Sequence, residues 1–161
     1  FPPLRLAQLA QWVAPRGWLR AYPIKALHET LHTDEPRAAL QELLASEPGS
    51  FWQTHRRLDR TAKSYRPTLG VRRRDTLILN ALVPVLLRWL QAQDEPLDAV
   101  WQVVEALPVA SDRITRLFRD LGTRPADTVD AQGMHRLYRS FCTAGRCLQC
   151  DIGQAVLTGN S

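Results

Sequence analysis

Apolar residues recur every three or four positions along most of this 161-residue chain, which is the spacing of helices that bury one face. Proline, glycine and short polar residues separate the stripes, as they do where helices begin or end. No stretch shows the strict alternation that is typical of a half-buried strand. We therefore expect an all-α protein, a compact bundle of about seven helices. The stripes run from Leu6 to Val13, Ile24 to Leu31, Leu40 to Leu44, Leu77 to Leu90, Leu97 to Leu107, Ile114 to Leu121 and Leu137 to Phe141.

Local chemistry predicts where several helices begin. Pro36 follows a short polar stretch and suits the first turn of a helix. Asp75 is predicted to cap the next long helix, and Asp112 is predicted to cap a later one that Gly122 ends. The segment that opens with Phe51-Trp52 has sparse apolar residues, so we expect only a short helix and a loop there.

The helix from Leu77 to Leu90 is apolar nearly all round, which predicts that other helices surround it at the centre of the core. Pro84 lies inside it and has no backbone N–H to donate, so it should kink the helix and free a carbonyl near residue 80. Asn80 is one turn earlier and is expected to be a structural polar residue.

Length and composition fit one domain, residues 1–161, with its own core, because 45% of the residues are apolar. A helix that crosses a membrane needs a run of roughly 18 apolar residues, and the sequence has no such run. The start of the sequence does not have the pattern of a secretion signal. The three cysteines are an odd number, which fits poorly with a disulfide-built secreted domain. We expect a cytoplasmic protein.

Positive charge is concentrated in one segment. The formal net charge is +5, but residues 55–74 have a local balance of +7 and the rest of the chain sums to −2. Such a segment, with Trp52 and Tyr65 near it, predicts contacts with the phosphates of a nucleic acid; solvated or acid-paired arginines are the alternative. The cations are Arg56, Arg57, Arg60, Lys63, Arg66, Arg72, Arg73 and Arg74.

All three cysteines, Cys142, Cys147 and Cys150, lie within nine residues. Gly145 lies between the first two and allows a sharp turn that brings Cys142 back toward the other pair. Thiolates at this spacing favour a shared metal, so we predict a zinc-binding knuckle at 142–153. The alternatives are an iron–sulfur cluster, a redox-active dithiol at Cys147 and Cys150, or reduced structural thiols.

A tetrahedral zinc needs a fourth ligand. His135 is near in sequence, but in an unbroken helix it is seven positions from Cys142, about 10 Å along the axis, whereas two ligands of one zinc are about 3 to 4 Å apart. His135 is therefore disfavoured. The other candidates are water, Asp151, His28, His32 and His55. His28 and His32 are four positions apart, so that pair can either bind a metal together or simply be exposed histidines.

Several short motifs match a known family. They are Phe1-Pro2, Phe51-Trp52-x-x-His55, Leu69-Gly70, Asp75-x-Leu77-x-x-Asn80-x-x-x-Pro84, and Phe141-Cys142 with Cys147, Cys150 and Ile152-Gly153. With them the chain resembles, over essentially its whole length, the C-terminal portion of an uncharacterised bacterial family, domain of unknown function 2851.

The resemblance implies a longer protein whose N-terminal half is acidic and histidine-rich and is similar to a nuclease-type fold. That missing half is an expected partner of the present chain, and its chemistry cannot be assigned to these residues. The family also carries a glutamate and an asparagine shortly after Leu107-Pro108, where this chain has Ala110 and Asp112.

Catalysis by this chain alone has little support, because no nucleophile elbow, Gly-rich phosphate loop or His-Glu-x-x-His motif occurs. We expect a non-catalytic helical domain with a structural metal site that acts as a nucleic-acid-binding or scaffold module of a larger protein. The alternatives are an iron–sulfur or redox-active dithiol domain, or an accessory domain of a nuclease-like enzyme whose catalytic half is absent here.

Overall fold

The protein is mostly helical in a computed structural model that describes residues 2–13 and 24–158, which confirms the all-α expectation. Its contacts divide the chain into two compact units, Phe1–Val103 and Val104–Ser161, and each is described by itself.

Before α7, the described part of the first unit contains six α-helices and one small hairpin. They are α1 (Pro2–Val13), α2 (Ile24–Thr30), α3 (Pro36–Leu43), α4 (Phe51–Thr54), β1 (His55–Arg57), β2 (Arg60–Thr61), α5 (Val71–Leu77) and α6 (Val83–Gln93). A five-residue π-helical segment, Ile78–Leu82, joins α5 directly to α6.

The continuous helix from α5 to α6 supplies much of the first unit's core, as predicted. Ile78 and Leu86 are fully buried, and Leu90 is almost so. The prediction that other helices surround it is only partly correct, because Val85 is 49% exposed.

Asp75 does not begin a helix, so the predicted N-cap is wrong. Helix α5 begins at Val71, with Gly70 at the cap position, and Asp75 lies buried on the second turn. There its carboxylate accepts two hydrogen bonds from the Arg37 guanidinium, at 3.1 and 3.0 Å, and one from the Gln41 amide at 2.6 Å. A residue type that favours helix caps is thus placed inside a helix by partners on α3.

Pro84 causes a local widening of the helix. The amide of Val83 donates to the carbonyl of Ile78, five residues earlier, which is the hydrogen-bond pattern of a π-helix. Asn80 lies in this turn, and its side-chain amide donates to the Thr76 carbonyl at 2.9 Å. Asn80 therefore has the structural role that the sequence predicted.

The hairpin was not predicted. Strands β1 and β2 are antiparallel and pair His55 with Thr61 and Arg57 with Arg60. They are three and two residues long, too short to show alternation, and largely polar. The expectation of a short helix followed by a loop is correct only for α4.

Helix α7 (Asp98–Glu105) leads from the first unit into the second, which then contains α8 (Arg113–Asp120), α9 (Thr128–Leu137) and α10 (Asp151–Thr158). A second π-helical segment, Tyr138–Cys142, extends α9, and a 3-10 turn, Cys147–Gln149, precedes α10. Helix α10 was missed by the sequence reasoning.

The predicted cap of α8 is confirmed. Asp112 accepts hydrogen bonds from the amides of Ile114 and Thr115, at 2.8 and 3.0 Å, and the Thr115 hydroxyl accepts from the Asp112 amide. Together they form a capping box. The apolar stripe predicted from Ile114 to Leu121 is only partly buried, because Leu121 is 71% exposed.

Candidate nucleic-acid interface and cysteine segment

The β1–β2 hairpin carries three of the predicted cations at the surface of the first unit. Arg56, Arg57 and Arg60 are all exposed, and the turn between the strands is Leu58-Asp59. Because the strands are short, backbone pairing alone would hold this hairpin only weakly.

Contacts from neighbouring segments hold the hairpin in place. The Tyr65 amide donates to the Gln53 carbonyl at 3.0 Å, and the Tyr65 hydroxyl donates to the His55 carbonyl at 3.2 Å. The Gln8 side chain on α1 donates to the Pro67 carbonyl at 2.9 Å in a buried hydrogen bond. The segment after the hairpin is thus tied back both to α4 and β1 and to α1.

Three of the eight cations have partners inside the protein. Arg57 pairs with Asp59 at 3.2 Å and Arg66 with Glu47 at 3.3 Å, both at the surface. Arg74 donates to the backbone carbonyl of Gln41 at 2.9 Å. These contacts agree in part with the alternative that arginines here are merely paired.

The other five cations are exposed and form no ion pair with any residue that the structure describes. The guanidinium of Arg56 lies 4.7 Å from the centre of the Tyr65 ring, which holds it by a cation–π contact without neutralising its charge. The five are Arg56, Arg60, Lys63, Arg72 and Arg73.

Arg72 and Arg73 lie in the first turn of α5. The positive end of the helix dipole is at this turn, so cations are less favourable here than at the other end of a helix. Their position therefore does not stabilise the helix.

The cysteine segment makes two tight turns. Cys142 ends the second π-helical segment, and Gly145 has a φ of 63°, the left-handed conformation expected there. Cys147 begins the 3-10 turn, and its backbone lies directly against Gly153 of α10, where a Cβ atom would overlap it. All three cysteines are free thiols; Cys150 is buried, and the other two are exposed.

The predicted metal ligands are not brought together. Within residues 2–13 and 24–158, no group of three or more His, Cys, Asp or Glu side chains is placed to hold a metal ion. His135 lies instead beside the α8 cap, with its Nε2 atom 2.7 Å from Asp112 Oδ2. Asp151 is exposed at the first position of α10. Zinc and an iron–sulfur cluster both stay predictions.

His28 and His32 do meet. Their Nε2 atoms are 3.1 Å apart, and Glu95 Oε2 is 3.0 Å from the Nε2 atom of His28. Sequence spacing indicated the histidine pair, but no sequence signal indicated Glu95, which is 67 positions away from His28.

In the described part of the chain, no helix is long and apolar enough to cross a membrane. Comparison with curated proteins gives no match, and comparison with solved structures gives none either. A family model described as "Protein of unknown function (DUF2851)" matches residues 1–113, which include the basic segment but not the cysteine segment. The motifs up to Pro84 lie within this match, whereas the expected resemblance of the cysteine segment lies outside it and stays a prediction. The chain therefore belongs to the DUF2851 family of proteins of unknown function.

Proposed function

We propose that the first unit binds nucleic acid through its phosphate backbone, and that the basic hairpin makes the central contacts. The observation that carries this proposal is the set of five exposed cations with no acidic partner among the described residues. Lysine and arginine side chains of this kind replace condensed counterions on nucleic acid, which favours binding at low salt.

The hairpin is also well suited to a flat or grooved polyanion. A two-stranded ribbon presents side chains along an edge, and its position is set by the hydrogen bonds of Tyr65 and Gln8. Arg56 is held over the Tyr65 ring with its charge available. Contacts of this kind bind phosphates and do not read the bases. The expected binding is therefore largely independent of the nucleotide sequence.

Salt-titrated binding to a labelled duplex and a labelled single strand tests the proposal. Wild-type protein should bind more weakly as salt rises. The triple variant Arg56→Ala/Arg60→Ala/Lys63→Ala should lower the slope of log affinity against log salt by about 2 to 3, because three phosphate contacts are lost.

Variants of the paired cations supply a control within the same segment. Arg57→Ala and Arg66→Ala remove charges that Asp59 and Glu47 already offset, so each should change the slope less than replacement of an unpaired cation. Wild-type binding without a salt slope, or no binding to either nucleic acid at low salt, would contradict the proposal and leave the scaffold role.

We further propose that the cysteine segment binds one structural zinc ion. The support is chemical: three free thiols lie within nine residues, on a turn where Gly145 has a positive φ and beside Gly153 of α10, which has no room for a Cβ atom. Binding would require the exposed thiolates of Cys142 and Cys147 to turn toward buried Cys150. Such thiolates persist in a reducing compartment, which supports the proposal of a cytoplasmic protein.

Metal analysis of anaerobically purified protein tests the zinc proposal. We expect close to one equivalent of zinc, and less in Cys147→Ser, because one ligand is removed. Iron with a visible absorption band would favour the iron–sulfur alternative, and protein free of both metals would contradict a metal site in this segment.

A further inference from the structure

A second cluster of side chains with potential metal ligands lies in the first unit and shares no residue with the cysteine segment or the basic hairpin. His28 is in the last turn of α2, and His32 follows in the turn after that helix. Glu95 comes just after α6 ends, and α2 packs against α6. The three side chains meet because the C-terminal ends of these two helices meet.

The two imidazole nitrogens lie close together. The Nε2 atoms of His28 and His32 are 3.1 Å apart, with their rings nearly perpendicular at 86°. Two nitrogen ligands of one zinc ion, each about 2.0 to 2.1 Å from the metal, lie about 3.3 Å apart in a tetrahedral site. The observed separation is close to that value without any movement of the backbone.

Hydrogen bonding alone holds this arrangement only weakly. The Nε2 atom of His28 can carry one hydrogen, yet it faces both the Nε2 atom of His32 and a carboxylate oxygen of Glu95 at 3.0 Å. When His28 donates that hydrogen to Glu95, the bare Nε2 atom of His32 in its other tautomer can only share the same hydrogen. A cation between the two nitrogens would instead accept a lone pair from each.

The local electrostatics also favour a cation. The C-terminal ends of α2 and α6 carry the negative end of each helix dipole. Glu95 adds a negative charge beside His28, with its side chain 39% exposed. The centre of the Trp89 ring lies 4.9 Å from the centre of the His28 ring. This contact limits rotation of the His28 ring and so keeps its Nε2 atom near His32 and Glu95.

We propose that His28 and His32 chelate a divalent transition-metal ion through their Nε2 atoms, with water in the remaining positions and Glu95 offsetting the charge. No third His, Cys, Asp or Glu in the described part of the chain completes a larger ligand group, so this is a two-histidine site that is open to solvent or to an exogenous ligand. It shares no residue with the basic hairpin or the cysteine segment, so it stands independently of both.

Zinc titration followed by NMR of the imidazole nitrogens tests the site in the full chain. The protein has four histidines, so each can be assigned, and zinc bound at the cysteines is not confused with zinc at this pair. Signals of His28 and His32 should shift together and saturate, whereas those of His55 should not move. His32→Ala should weaken zinc binding to His28 by about 100-fold, because the second arm of the chelate is lost.

Glu95→Gln should weaken binding by about tenfold while leaving both imidazoles in place. Glu42→Gln, an exposed carboxylate on α3, is the matched control and should bind zinc as the wild type does. His32 is exposed, so its replacement should leave the circular dichroism spectrum unchanged. Unshifted His28 and His32 signals at excess zinc, or an equal shift of His28 in wild type and His32→Ala, would overturn the proposal.

Discussion

The partners of Asp75 determine its place in the fold, inside a helix and not at the start of one. Its carboxylate accepts hydrogen bonds from Arg37 and Gln41, and the bond from Arg37 raises the pKa of that guanidinium. Arg37 and Gln41 are 38 and 34 positions away, so no local pattern reveals them. Asp112, by contrast, caps a helix through residues two and three positions later, and the sequence was sufficient to predict it.

Replacing Asp75 with alanine should lower the free energy of unfolding of the first unit by about 2 kcal/mol, because a buried carboxylate and its hydrogen bonds to Arg37 and Gln41 are lost, while Arg37 is exposed enough to be solvated. Urea unfolding measures the change. Asp59→Ala removes the carboxylate of the exposed Arg57 pair and should cost no more than about 0.5 kcal/mol. Equal costs in the two variants would show that the Asp75 network does not stabilise the fold.

Asp112 should make the stability of the second unit depend on pH in the acid range. Burial favours a higher pKa, but hydrogen bonds from Thr115, His135 and Ile114 outweigh it and lower the pKa of Asp112 below its ordinary value. A lowered folded-state pKa stabilises the fold at pH above the ordinary value, and this stabilisation is lost as pH falls through the lowered one.

Asp112→Ala should therefore lower the free energy of unfolding of the second unit by about 1 kcal/mol near neutral pH. Below about pH 4 the free energies of unfolding of the variant and the wild type should become more similar. Denaturant unfolding followed through amide signals of the second unit gives both values. Asp120→Ala removes an exposed carboxylate from the same helix; if it reproduced the pH dependence, the assignment to Asp112 would fail.

At the scale of elements, apolar spacing predicted the long helices because each buries one face, and it failed where packing or backbone fit decides the structure. The β1–β2 hairpin is too short to have a pattern, and its position depends on Tyr65 and Gln8. Helix α10 follows the cysteine segment, whose spacing predicts a metal site and gives no helical pattern. The close approach of Cys147 to Gly153 could not be inferred from spacing.

Two glycines give a matched test of that approach. Gly153→Ala would place a Cβ atom against the backbone of Cys147 and should destabilise the turn before α10 by about 1 to 3 kcal/mol. Gly133→Ala, inside α9 with no atom near the added Cβ, should instead stabilise the protein by up to about 1 kcal/mol. Hydrogen exchange of the Gln154 amide, which donates to the Cys150 carbonyl, should speed up only in Gly153→Ala.

Across the whole molecule, charge is distributed unevenly, and the sequence already located the basic segment because charge is a local property. It could not show which cations are paired, since Glu47 and Gln41 come from segments outside 55–74. The sequence also could not show which residues contact the candidate histidine ligands, because those residues are far away along the chain. His135 contacts Asp112, and His28 contacts Glu95.

Net charge and charge position can be separated by experiment. Arg113, Arg116 and Arg119 are exposed on α8, so replacing all three with alanine lowers the formal net charge as much as the hairpin triple variant does. If position governs binding, the α8 variant should keep most of the wild-type affinity and salt slope for nucleic acid, and the hairpin variant should not. Equal losses would indicate a general effect of net charge.

The π-helical turn before Pro84 also bears on which changes of chain length this fold tolerates. Residues five apart in an α-helix lie about 140° from each other around its axis, yet Ile78 and Val83 are both buried. The turn therefore accommodates one residue more than an α-helix would. A relative lacking one residue within 78–82 could keep Leu86 and Leu90 in the core, whereas the same deletion later in α6 would rotate every following side chain by about 100°.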